Sequence, residues 1–437
     1  MILQQHLPPT PLRRLVKTGA FIFLFALIAA AATAAALVLP EPKGVMFVGG
    51  AIYVATYLYL TWKRPDIALL LTFAGASSAA DVSNGLFAKF SIAEANMVLA
   101  LPAFFFYCIR RRQVAQAGPI AVPVAIYMGI SLLSSAITWR GYDATISLIQ
   151  MALYLMIAVP FFANFAIKPE HLLRSLYAMV IAGCGATMWA LAKGYPQGKN
   201  GTGDLIASTL QVAVILLLAT DPRNTRRKIL LIAALILLTV GLVFSLSRGS
   251  WLGALCGLIM IFSLRREFKS LFRLLLLLLP IAAVCWMSLP QDLKAYSTGV
   301  GKDRMNIELR YQSVDLANRY FKQSPLYGVG VGLRKEYDAT NIALMVLAET
   351  GIAGLFGFAL IHFAFYRMVW VTQKRLSVKD PLHPLLCVGA ALVLARLMHG
   401  MVDHYWTRGV LMTAWASAGM TTAAYFAVCR RAGVRRL

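Results

Sequence analysis

Charge is what this sequence has least of. Only 14% of its 437 residues are Asp, Glu, Lys or Arg, against roughly 25% in a soluble domain, and the shortage excludes an ordinary water-soluble fold. Acidic residues are the scarcer half: 18 Asp and Glu stand against 42 Lys and Arg, a formal net charge of +24. Long polar stretches are equally few. Cysteine occurs at Cys108, Cys184, Cys256, Cys285, Cys387 and Cys429, each in or at the end of an apolar run, so no disulfide framework is implied and no metal-ligand spacing occurs.

What is there instead is apolar: 59% of the residues are hydrophobic, in runs that recur along the whole chain. A spanning helix needs about 20 such residues. The runs predict helices at 19–39, 45–62, 67–80, 92–109, 121–139, 146–166, 174–192, 204–220, 229–246, 249–264, 273–289, 341–370, 385–406 and 409–429. With 67–80 short enough to be re-entrant, the expectation is an all-α polytopic membrane protein of 12–14 transmembrane helices. Residues 1–289 supply the N-terminal helices, 290–340 a large polar loop, and 341–437 the C-terminal helices of one integrated domain. Arg13, Arg14 and Lys17 precede a run too long for a secretory signal, and no convincing cleavage site follows it.

So basic a chain invites a nucleic-acid reading, but the charges are in the wrong places for it. They cluster between apolar runs, at Arg110-Arg111-Arg112, Arg226-Arg227-Lys228, Arg265-Arg266 and Arg430-Arg431, as cytoplasmic anchors do. Threading the helices alternately puts 26 Lys and Arg on one side, seven in short loops on the other, eight in the long loop, and leaves Arg396 inside a helix. Both termini are then expected in the cytoplasm and the long loop outside it, with membrane lipids and not nucleic acid as partners.

Within the loop, Ile307, Tyr311, Val314, Ala317 and Phe321 recur at three- and four-residue steps and predict an amphipathic helix over Arg304–Gln323. Arg310 falls on the side of Val314, Ala317 and Phe321, so its guanidinium is expected at the interface with the membrane domain. Pro325 stops the helix. Gly328, Gly330 and Gly332 then read either as a turn that lets the backbone approach something closely or as a plain return to the membrane.

Ionisable residues in apolar runs are the remaining candidates. Arg248, in Ser247-Arg248-Gly249-Ser250-Trp251, is either a site residue or an interfacial arginine reaching head groups, and Gly249, Gly253 and Gly257 let the helix after it pack closely. Arg396, His399 and Asp403 share one helical face, where the histidines 399 and 404 read as base or as hydrogen-bonding spacer. Glu349 is expected to neutralise a membrane arginine such as Arg396 or Arg248. Arginine's planar fork suits phosphate oxygens, which makes a lipid-linked diphosphate a natural guest for Arg248, Arg310 and Arg396.

Ser247 to Trp251, the loop pattern from Arg310 to Gly332, and Asp338-Ala339-Thr340-Asn341 through Leu347 to Gly354 together resemble the O-antigen ligase and O-antigen polymerase superfamily, over about 230–408. The resemblance implies a bacterial inner-membrane glycosyltransferase working without metal or cofactor, its site facing the periplasm. It implies an undecaprenyl-diphosphate-linked glycan as donor, with a lipid-linked glycan or lipid A-core as acceptor. Arg248 and Arg310 would then stabilise the departing diphosphate. The ligases typically carry a histidine, a proposed base, immediately before the residue here numbered Asn341, and this chain has Thr340. That favours an O-antigen or exopolysaccharide polymerase over a ligase and leaves His399, His404, Asp338 or Glu308 as the catalytic base, or no strong base at all if departure of the diphosphate leads the reaction. The rival of another class is a polysaccharide or lipid transporter, for which Arg396 deep in a helix would speak.

Overall fold

The computed structural model describes residues 43–76, 91–138, 141–166, 168–194, 199–298, 304–333, 341–406 and 409–434. The expected helix at 19–39 and the loop residues Asp338 and Thr340 lie outside the described residues. All regular structure among those described is helical, as a backbone in hydrocarbon requires, since each N–H and C=O has to be satisfied within the chain.

In chain order the helices are α1 (Lys43–Lys63), α2 (Pro65–Gly75), α3 (Ile92–Arg111), α4 (Ala121–Ile137), α5 (Gly141–Asn164), α6 (Pro169–Ala192), α7 (Lys199–Ala219) and α8 (Thr225–Phe244). There follow α9 (Arg248–Arg265), α10 (Phe268–Ser288), α11 (Gln291–Thr298), α12 (Arg304–Gln323), α13 (Ile342–Gln373), α14 (His383–Gly400) and α15 (Val410–Arg431). Nine of those described are long and apolar enough to cross a membrane: α3 to α8, α10, α13 and α14. The helices α1, α9 and α15 occupy three more of the predicted spans, α9 and α15 with a less apolar make-up. For α15 the reason is burial: Thr413, Ser417, Thr421 and Thr422 face protein and not lipid. At 11 residues α2 is too short to span.

Small residues set how closely α9 is held. A Cβ at Gly253 would lie 3.0 Å from the Ala395 carbonyl of α14, and one at Gly257 would lie 2.2 Å from Oε1 of Gln211 on α7. Gln211 Nε2 in turn donates to Gly253 O at 3.2 Å. The glycine spacing read from the sequence therefore packs α9 against two neighbours at once. By contrast α10 is peripheral, burying little beyond Leu274 and Leu278.

The bundle has two chemically different ends. At one, Arg265 donates to Leu218 O (3.3 Å) and Glu267 (2.9 Å), Gln373 Nε2 donates to Leu264 O (2.6 Å), and Arg431 pairs with Asp380. This is the end of the basic clusters. At the other end the starts of α7, α9 and α13 meet the end of α14.

The helix α12 has the predicted bounds, Arg304–Gln323, but its buried side is rotated from the predicted one. Ser313 and Ala317 are buried and Leu316 and Tyr320 half-buried, whereas Tyr311 is 73% exposed and Val314 exposed. Close seating on α13 favours the small residues Ser313 and Ala317, with Ala317 packing among Val329, Leu333, Met345 and Ala348. Arg310 is exposed at the flank of that face instead of lying within the interface.

The helix α13 is broken at Gly351, whose φ of 66° and ψ of −165° belong to a region open essentially to glycine. A break orphans carbonyls before it and N–H groups after it. The segment 325–332 supplies the missing partners. Ile352 N–H donates to Pro325 O (2.9 Å) and Ala353 N–H to Leu326 O (3.2 Å), while Ala348 O accepts from Val329 N–H (2.9 Å) and Glu349 O from Gly330 N–H (3.0 Å). Such backbone contact needs glycine on both sides: a Cβ at Gly328 would come within 2.3 Å of the Glu349 carbonyl carbon, and one at Gly351 within 2.4 Å of that of Leu326. The glycine series thus brings backbone to backbone.

Candidate functional site

The site grows from one buried carboxylate. Asp204, in the first turns of α7, is 2% exposed and would be costly to bury unpaired. It forms an ion pair with Arg396 Nη1, and its other oxygen lies 3.2 Å from His399 Nδ1. Arg396 spends the rest of its fork on backbone: Nε donates to Tyr405 O at 2.9 Å, and Nη2 to the carbonyls of His404 and Tyr405. The residues after α14 are thereby folded back onto it.

His399 Nε2 lies 3.5 Å from Asp403 Oδ2, and Asp403 Oδ1 accepts the His404 N–H at 2.7 Å and sits 3.7 Å from His404 Nε2. The result is a continuous polar chain running Arg396, Asp204, His399, Asp403, His404. Burial alone would push the Asp403 carboxyl up, but His399, His404 and the His404 N–H beside it hold it below the usual carboxylate range. The His404 side chain is 40% exposed, whereas that of His399 is 2% exposed.

Arg248 stands next to this chain. Ser247 caps α9 by accepting Ser250 N–H at 3.4 Å and Ser250 Oγ–H at 2.8 Å, which leaves Arg248 exposed in the first turn. Gly249 is the contact: a Cβ there would lie 2.4 Å from His399 Cδ2. On the other side Asn341 caps α13 through Ala343 and Leu344 N–H and donates its own Nδ2 to Met401 O at 3.0 Å. Residue 341 is therefore beside the segment that bears Asp403 and His404. An exposed arginine at a helix N-terminus, one residue from the glycine that abuts His399, can hold an anion near a polar chain that ends in a half-exposed histidine.

The O-antigen ligase family model matches residues 233–359. Over that span the chain is similar to the O-antigen ligase family. No curated protein matches the chain. The matched segment contains Arg248, Glu308, Arg310, Glu349 and the whole break in α13, while Asp204, Arg396, His399, Asp403 and His404 lie outside it and are brought to it by packing.

Several expectations are corrected by this geometry. Arg396 does not line an outward cavity: it is buried and its guanidinium is engaged by Asp204 and two carbonyls. Glu349 neutralises neither Arg396 nor Arg248 in the described contacts; the arginine partner is Asp204, and Glu349 Oε1 accepts the Gly332 N–H at 2.9 Å. Arg310 and Glu308 are both exposed on α12 and have no ion-pair partner among the described residues. Asp204 is the residue the sequence reading missed. Its signal was there, a lone carboxylate at the start of an apolar run, which by default needs a named partner.

Proposed function

We propose that this protein transfers an oligosaccharide from undecaprenyl diphosphate at the periplasmic face of the bacterial inner membrane, as an O-antigen or exopolysaccharide polymerase. The observation that carries the reading is the contact of Gly249, next to exposed Arg248 in the segment similar to O-antigen ligases, with His399, which lies 3.5 Å from Asp403 in the chain that ends at His404. In the reaction the acceptor hydroxyl oxygen forms a bond to the anomeric carbon. The bond from that carbon to the phosphate oxygen breaks, and undecaprenyl diphosphate departs with the electron pair. Charge grows on the leaving diphosphate, where Arg248 and the α9 N-terminus are placed to meet it, with exposed Arg310 as a second donor. The hydroxyl proton passes to His404, the more exposed of the two histidines, with Asp403 orienting its ring. His399 and Arg396 enter as positioning residues that hold Asp403 and the His404 backbone. Asp338 and Glu308 remain the alternative bases.

Transfer to lipid A-core is the second reading, favoured by the ligase description of the matched family; Thr340, where the ligases keep histidine, favours the polymerase. A transporter loses its main support, since Arg396 at depth is accounted for by Asp204. The test is purified protein in liposomes with a lipid-linked donor. Glycan ladders on the lipid diphosphate support the polymerase, glycan on added lipid A-core the ligase, and flux without transfer rejects both. Arg248→Lys keeps the charge and loses the fork, and should lose most transfer; a fully active Lys variant rejects the diphosphate clamp.

A further inference from the structure

A buried glutamate is left over by this account. Glu349 is 2% exposed, sits at the break in α13, and takes no part in the Asp204 to His404 chain. Its backbone carbonyl already receives Gly330 N–H (3.0 Å) and Ser134 Oγ–H (2.7 Å). Ser134 Oγ also accepts Gly330 N–H (3.1 Å), and Ser135 Oγ accepts Val331 N–H (3.3 Å), so α4 and α13 grip the same strand of chain. Beyond Gly330 the loop leaves the reach of the α13 backbone. The buried Gly332 N–H would then have no carbonyl to meet from α13, and a buried N–H without a partner is costly. The Glu349 carboxylate extends the ladder to it.

We infer that Glu349 is the latch that fixes the polar loop to the membrane domain, and so a positioning residue for the transfer reaction. The inference rests on the transferase reading for its effect on rate, and on geometry alone for its effect on the loop. The latch lies immediately before 334–340, and Asn341, tied to Met401, fixes the chain immediately after it. It also holds Leu333 among Ala317 of α12 and Met345 and Ala348 of α13, which sets where the Arg310-bearing helix sits. A hydrogen-bond acceptor is what the position requires; an apolar residue would leave Gly332 unpaired.

The test compares Glu349→Ala, Glu349→Gln and Ser134→Ala on a background lacking the native cysteines and carrying Leu333→Cys, a fully buried position. Reaction of that thiol with an impermeant reagent, in detergent and without glycan, reads the latch; single-turnover transfer from a purified lipid-linked donor reads its consequence. Glu349→Ala should expose the thiol and slow transfer by about 10²-fold, the loss expected when groups far from the chemistry shift by about an ångström. Glu349→Gln, which still offers a carbonyl oxygen, should restore both. If Glu349→Ala does not fold, Ser134→Ala, which removes one grip on Gly330, carries the comparison and should show partial exposure with partial loss. A Gln variant as labile as Ala overturns the hydrogen-bond latch, as does a protected thiol in the Ala or Ser134 variant. An exposed thiol with undiminished transfer overturns the positioning role. Absence of transfer in the parent protein would instead reject the transferase reading and leave the labelling result to decide the latch.

Discussion

His399 and His404 belong to one polar chain yet differ in what can reach them. His399 is enclosed between Asp204 and Asp403, while His404 has solvent on one side. Replacing His404 by Ala should lower single-turnover transfer by about 10²- to 10⁴-fold, the usual cost of a lost general base. His404→Gln should not recover it, because Gln can hydrogen-bond but cannot take the proton. Wild-type activity in either variant would move the base elsewhere, with Asp338 and Glu308 next in line. Asp403 makes a separate, pH-dependent prediction. Its folded carboxyl is held below the unfolded value of about 3.9, so its stabilisation is complete above that value and is lost as pH falls through the depressed one. Asp403→Asn should therefore lower the melting temperature at neutral pH and flatten its fall below about pH 4, measured by thermal melting in detergent. Parallel acid profiles for the two proteins would show that Asp403 carries no such linkage.

At the scale of elements, the helix α9 is placed by what it lacks. Gly249 lets it lie directly on His399, and Gly253 and Gly257 let it close on α14 and α7. Gly249→Ala should displace the imidazole and cost about 1–3 kcal/mol, the usual range for overpacking. The check is a lowered melting temperature together with reduced transfer. An Ala variant as stable and active as the parent would mean that α9 and α14 have slack the packing does not show. The break in α13 works by the same economy of bulk, since glycine on both strands admits the backbone pairing that repairs it.

Across the whole molecule, one end gathers the arginine clusters and the other the polar chain, the capped starts of α9 and α13, and the loop. On the proposed reading the charge bias orients this pair of ends in the membrane, basic side inward. A cysteine introduced at Lys322, exposed at the end of α12, should react with an impermeant thiol reagent applied to intact cells, and one at Arg226 only after permeabilisation. The reverse pattern would invert the protein and place its site in the cytoplasm, where a periplasmic transferase could not work.

Composition and periodicity determined the helical membrane class, the run of spans and the bounds of α12, because a hydrocarbon solvent leaves a backbone few choices and those choices are written locally in apolar length. The glycine spacing of α9 was legible for a similar reason, since close helix contact needs small residues at a fixed period. Tertiary structure decided the partners. Asp204 and Arg396 are far apart in sequence, as are Glu349 and Ser134, and no local pattern says which carboxylate meets which arginine. Arg396 has Asp204 for a partner because α7 and α14 pack directly together, and Glu349 meets the loop because the break in α13 left backbone groups for the loop to satisfy. The rotation of α12 follows from the same cause: seating two helices closely rewards small residues over large apolar ones, and only the packed surface shows which side that is.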